Sequence, residues 1–275
     1  MRKLALLLAA CVALAGCGSR DETTVPKTQT ATRVVVPPGA SSATLIAGAN
    51  KAGLFRDAGL APSVLSGTTG LNAVAAGQAD LAVASQPAVL QARARGLNLV
   101  SVASLVHGPR VAVISSSKIA SPRDLAGKRL GTVSGPYEQA IAKTLSARAG
   151  GGGIKLVHVP NAAKALQKHQ VDAVLAPVST VHVKKAIAVP VDRLGVPTYD
   201  EEVLVATGES VKSRGDDIRA FIGALWRQAK GKAPGAQSPA QWRTFAEWMQ
   251  ANGLLARQVD ASATVTNTLL PGLRG

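Results

Sequence analysis

Three short segments carry side chains suited to meeting a polar solute. Ser66-Gly67-Thr68-Thr69-Gly70 precedes a short helix, Ser85-Gln86-Pro87 opens the next, and Ser134-Gly135-Pro136-Tyr137-Glu138 opens another further along. The first N–H groups of a helix lack intrahelical partners, so these amides and the neighbouring hydroxyls can donate to a ligand. Pro87 and Pro136 are tolerated because a first turn loses no helical hydrogen bond. The candidate contacts are therefore Ser66, Gly67, Thr68, Thr69, Ser85, Gln86, Ser134 and Tyr137. Any helix start needs a cap, so each segment alone also reads as ordinary structure. Convergence of all three on one cleft would make them a binding site, for an oxyanion as readily as for a neutral polar solute.

Covalent and metal chemistry find little support. His107, His158, His169 and His182 lack the i, i+4 spacing and carboxylate neighbours of a zinc site, and they read as surface or core-edge residues. Cys11 and Cys17 both lie in or at the edge of the N-terminal segment, so the domain beyond them has no thiol and no disulfide. No metal, cofactor or catalytic group is expected, and the chain reads as a non-enzyme. The formal net charge is +15. No run of lysine or arginine is interleaved with aromatics, which argues against nucleic acid. Two readings of the charge stay open: a solvated basic surface with dispersed charges, and attraction to an anionic membrane.

Arg2 and Lys3 lead an apolar run from Leu4 to Ala13 that closes on Leu14-Ala15-Gly16-Cys17. A positive start, a short apolar core and small residues at the exit describe an export signal, too short to span a bilayer as a stable helix. Leu-Ala-Gly-Cys is similar to the bacterial lipoprotein box, in which the cysteine is acylated; a plain secretion signal is the other reading. The expected organisation is a signal over 1–16, lipidation at Cys17, and a flexible tether over 17–32. The domain that follows would be extracytoplasmic and lipid-anchored to a bacterial membrane.

The segments above need a scaffold, and the rest of the chain supplies one. Val34-Val35-Val36 reads as a strand stopped by Pro37-Pro38-Gly39, Ala43 to Lys51 as a helix, and Leu81 to Ala84 as a buried strand. Helices at Leu71–Ala76 and Val89–Arg95 alternate with strands at Leu99–Leu105 and Val111–Ile114. This rhythm indicates an α/β protein with helices layered over mostly parallel sheets. Gly77-Gln78-Ala79-Asp80-Leu81-Ala82-Val83-Ala84 has a counterpart in His169-Gln170-Val171-Asp172-Ala173-Val174-Leu175-Ala176. In each, a helix end is followed by Gln-x-Asp and then an apolar strand, and two similar lobes explain the repetition most simply. Lobe one is expected over 33–110 and 200–275, lobe two over 111–199, with two hinge crossings. Ligands of open α/β sheets sit beyond the carboxyl ends of the strands, which puts the site between the lobes. Toward the C-terminus, Phe221, Leu225, Trp242, Phe245, Trp248 and Met249 recur at helical spacing and read as core.

Three motifs in order carry a resemblance: Ala52-Gly53-Leu54-Phe55-Arg56-Asp57-Ala58-Gly59-Leu60, Ala76 to Pro87, and Ser121-Pro122-Arg123-Asp124-Leu125-Ala126-Gly127-Lys128-Arg129-Leu130-Gly131. Together they resemble the substrate-binding proteins of ABC importers for sulfonates, nitrate and thiamine-pyrimidine precursors. These share a superfamily with the fungal thiamine-pyrimidine synthase. The resemblance implies a two-lobed periplasmic-binding-protein type II fold, a small-molecule ligand, an ABC permease as partner, and a monomer. Gly195-Val196-Pro197-Thr198-Tyr199-Asp200-Glu201 is similar to the thiamine-pyrimidine branch, where such a turn presents an aromatic and a carboxylate to the ligand. Tyr199 and Glu201 would hold those roles, stacking on and hydrogen bonding to an aminopyrimidine; the same residues also read as an ordinary polar turn opening the return strand. In that branch the segment after the first strand supplies a second aromatic, but here it reads Pro37-Pro38-Gly39-Ala40-Ser41-Ser42, leaving Tyr137 as the substitute. Alternatives are an anion receptor of the sulfonate or nitrate kind, and a degenerate pair of lobes acting as partner of a membrane complex. The synthase relies on a cysteine-rich motif that this chain lacks, which sets the enzyme reading aside.

Overall fold

The computed structural model describes residues 29–132 and 135–272. The expected signal, Cys17 and Ser134 lie outside them. Two mixed five-stranded sheets organise the chain. The first is built by β1 (Thr30–Val36), α1 (Ser42–Lys51), α2 (Leu54–Asp57), β2 (Leu60–Ser66), α3 (Gly70–Ala75), β3 (Leu81–Ala84), α4 (Gln86–Ala94) and β4 (Leu99–His107). The second is built by β5 (Val111–Ser115), β6 (Arg129–Thr132), α5 (Pro136–Ala149), β7 (Lys155–His158), α6 (Ala162–Gln167), β8 (Ala173–Pro177) and β9 (Ile187–Pro190). The chain then returns with β10 (Asp200–Thr207) to the first sheet and ends in α7 (Gly208–Ser213), α8 (Gly215–Gln228) and α9 (Pro239–Ala251).

Strand order is β2-β1-β3-β10-β4 in the first sheet and β7-β6-β8-β5-β9 in the second. Each has two parallel pairings on one side and two antiparallel pairings on the other, so the sheets are mixed where mostly parallel ones were expected. The antiparallel halves arise because the two strands that follow the crossings, β5 and β10, each run antiparallel to both neighbours, next to the edge of a sheet. Side chains alternate across each sheet with the strand period of two. Val34, Val36, Leu81 and Leu204 face one core, whereas Val35, Ala82, Val203 and Val205 face the other. In the second sheet Val111, Val113 and Leu175 oppose Ala112, Ile114 and Val174.

The repetition in the sequence has a physical counterpart. Asp80 accepts from the backbone N–H of Arg33 on β1 at 2.7 Å and from its guanidinium, which also donates to the Gly77 carbonyl at 2.9 Å. Asp172 does the same with Arg129 on β6: 2.7 Å to the N–H, with the guanidinium reaching the His169 carbonyl at 3.0 Å. In both places one aspartate ties the turn after a helix back to the last strand but one before it in sequence, at matching positions of the sheets.

Two elements depart from expectation. β1 starts at Thr30 and not at Val34, so the last residues assigned to the tether are strand, paired with Leu60, Ala61 and Pro62. Thr30 and Thr32 are β-branched and fit a strand, but their polarity hides it. The other is β9, a four-residue strand at the edge of the second sheet where no strand is expected. The aromatic tail is core as expected, with Trp242, Phe245, Met249, Phe221 and Leu225 fully buried.

Candidate functional site

A cavity of about 380 Å³ lies between the two sheets, walled by the turn after β1, the loop before α3, the start of α4, the two crossings and the end of β8. That volume lies within the range of ordinary small-molecule sites. Pro37, Pro38, Gly39 and Ala40 form one wall. Gly39 sits at φ +78°, a conformation that glycine adopts without steric cost, and the turn it closes brings the backbone against the cavity. Among the described residues, those lining the cavity include no aromatic side chain.

Of the residues singled out from the sequence, Gly67, Thr68, Ser85 and Glu201 line the cavity. Ser85 also caps α4, its Oγ accepting from the Ala88 N–H at 3.4 Å. Ser66 and Thr69 are exposed neighbours of the same loop outside the lining set. Gln86 is fully buried, and its Oε1 accepts from the Asp200 N–H at 2.8 Å, a bond that ties α4 to the start of β10.

The two tyrosines are placed differently from the expectation. Tyr199 is only 2 % exposed, with its ring 4.9 Å from that of Phe245 and edge-on to Tyr137 at 5.9 Å. Tyr137 packs edge-on against Trp248 at 6.0 Å. Neither ring forms the cavity wall, because α9 returns from the C-terminus to cover them. Burial pushes both phenols above their ordinary pKa, and for Tyr199 the neighbouring Tyr137 and the Glu201 carboxylate push in the same direction. Tyr199 is thus a buried ring packed on Phe245 and Tyr137, outside the cavity lining.

Two residues that the sequence did not mark complete the site. Glu202 is buried, and its oxygens accept from the backbone N–H groups of Ser41 at 2.6 Å and Ser42 at 2.8 Å, the first amides of α1. A carboxylate here is favoured by the helix dipole as well as by the two bonds. Arg110, on the first crossing, donates its backbone N–H to Glu201 at 3.0 Å and its guanidinium to the Ser41 hydroxyl. Consecutive strand residues ordinarily point to opposite faces, yet Glu201 and Glu202 both reach the cavity. Register shifts of β10 against β4, between Asp200 and Glu202 and again between Glu202 and Val203, re-aim them. The cavity therefore holds two carboxylates and one guanidinium, with hydroxyls from Thr68, Ser85 and Ser179. Among the described residues no group of histidine, cysteine or acidic side chains could hold a metal ion.

Two α/β lobes joined by paired crossings, with a polar cavity at the seam, define the architecture of periplasmic binding proteins. The periplasmic sulfonate-binding protein SsuA of Methylobacillus flagellatus KT shares it, with a TM-score of 0.69 over 88% of this chain and 93% of that one at 16% identity. The NMT1/THI5-like family model matches residues 41–233, and the chain belongs to that family. It is 34% identical over 163 residues to a protein assigned to thiamine biosynthesis in Haemophilus influenzae, covering 55% of this chain and 51% of that one. Over 194 residues it is 31% identical to the formylaminopyrimidine-binding protein of Halalkalibacterium halodurans, covering 64% of this chain and 57% of that one. The chain spans about half the length of the curated relatives it matches.

Proposed function

We propose that this protein is an extracytoplasmic solute receptor, held to a bacterial membrane by a lipid on Cys17, that captures a small amino-substituted heteroaromatic such as a thiamine-pyrimidine precursor and delivers it to an ABC permease. Family membership and the formylaminopyrimidine-binding relative support the transport reading. The observation that carries the ligand class is Glu202. The amides at the start of α1, which an oxyanion would need, are already occupied by the protein's own carboxylate. Glu201 adds a second negative charge in the same wall, so a sulfonate would be repelled while an amino group or protonated ring would be attracted. Arg110 leaves guanidinium donors for a carbonyl or hydroxyl on the same solute. The protein in this reading performs no chemistry on what it binds.

Titration calorimetry of the purified protein with aminopyrimidines, formylated and not, and with alkanesulfonates tests the assignment. Aminopyrimidines are expected to bind and alkanesulfonates not to. Glu201→Gln is expected to weaken the aminopyrimidine by about 1–3 kcal/mol. Tighter binding of the sulfonate, or an unchanged affinity in the Glu201 variant, would overturn this reading.

A further inference from the structure

Basic charge is concentrated in one stretch of the second lobe. Between Gln139 and Val191 the sequence holds Lys143, Arg148, Lys155, Lys164, Lys168, Lys184 and Lys185 against one acid, Asp172. That acid is bound by Arg129 at 2.9 Å. The fold then gathers part of this excess on one surface. α6 and the segment 181–186 both cover the same side of the second sheet, packing against Val174, Ala176 and Val159. α6 turns Ala162, Ala165 and Leu166 inward and leaves Lys164 exposed, with Lys168 exposed just past its end. In 181–186, Val181 and Val183 turn inward while His182, Lys184 and Lys185 are exposed. Among the described residues, Lys164, Lys168, Lys184 and Lys185 make no ion pair.

We propose that this face of the second lobe rests on an anionic phospholipid surface. The stretch from Lys155 to Ala186 contains no phenylalanine, tyrosine or tryptophan, so it lacks the stacking platforms of a single-strand nucleic-acid site and the aromatic anchors of a protein interface. Lysines on flexible stems are compact charges suited to a diffuse layer of headgroups. Their attractions to an anionic surface add, and they decay within a Debye length. The inference rests on the second lobe alone and does not depend on the solute or on the anchor.

The test uses the full chain carrying Cys17→Ser, which cannot be acylated, and measures sedimentation with phosphatidylcholine vesicles and with vesicles containing phosphatidylglycerol. The expected result is at least about a tenfold preference for the anionic vesicles, lost at high salt. Changing Lys164, Lys168, Lys184 and Lys185 together to glutamine is expected to reduce that preference about tenfold. The same number of neutral substitutions on the first lobe, at Lys51, Arg95, Lys212 and Lys230, should reduce it no more than about twofold. Unchanged thermal midpoints show that both variants are folded, and single substitutions of Lys164 and Lys184 replace any quadruple variant that is not. Equal losses from the two lobes, or no preference for anionic vesicles, would overturn the proposal.

Discussion

Glu202 supplies the clearest test of selectivity, because one carboxylate both anchors a helix and denies that helix to an anion. Glu202→Ala frees the Ser41 and Ser42 amides. The variant is expected to gain measurable binding of sulfate or an alkanesulfonate by calorimetry, and to lose about 1–3 kcal/mol of stability in urea denaturation for the two charge-assisted bonds. The residue was invisible in the sequence because its partners are 160 and 161 positions away. Glu201, by contrast, is singled out by the resemblance of its glycine-x-proline turn to the thiamine-pyrimidine branch. Tyr199 was readable as an aromatic beside that carboxylate but not as a buried one, since Phe245, which covers it, arrives from a helix near the opposite end of the chain.

Among the secondary elements, the matched arginine–aspartate locks join an inner strand of each sheet to the turn after a helix and bear on stability in acid. Hydrogen bonds from Arg129 hold the Asp172 carboxyl down at about 2, against an unfolded value near the ordinary ~3.9. The charged form therefore favours the folded chain. Its contribution is complete above about pH 4 and is lost as the pH falls toward 2. Asp172→Asn is expected to lower the thermal midpoint at neutral pH and to flatten its fall through that acid range, as followed by circular dichroism. Helices and buried strands with strong apolar periods, such as Leu81–Ala84 and the α8 face of Phe221 and Leu225, were legible from the residues alone. The first residues of β1 were not, because Thr30 and Arg33 look like solvent-exposed linker until the neighbouring strand is present. The Gln-x-Asp repeat was legible as a pattern, while its meaning depended on arginines elsewhere in the chain.

As one body, the protein places its cavity where two chain crossings meet, and those crossings are themselves tied together. His107 at the end of β4 contacts the buried Asp200 at 2.8 Å, and Gly108 bridges to Asp200. A solute that binds the folded state across both lobes must stabilise it, by about 2.7 kcal/mol at a hundredfold excess over Kd. A thermal shift of the corresponding size is the expected outcome with an aminopyrimidine, and its absence across a solute panel would favour a lobe pair that no longer binds.

α9 packs with the first sheet, yet the Trp248 indole N–H donates to the Thr144 hydroxyl on α5 of the second lobe at 3.0 Å. Trp242 is sealed inside the first lobe and Trp226 lies at 41 % exposure on the surface. Of the three indoles, Trp248 is thus the one bonded across the two lobes. The molecule carries its own optical gauge: emission should move on adding solute, and Trp248→Phe should silence that response while capture itself persists.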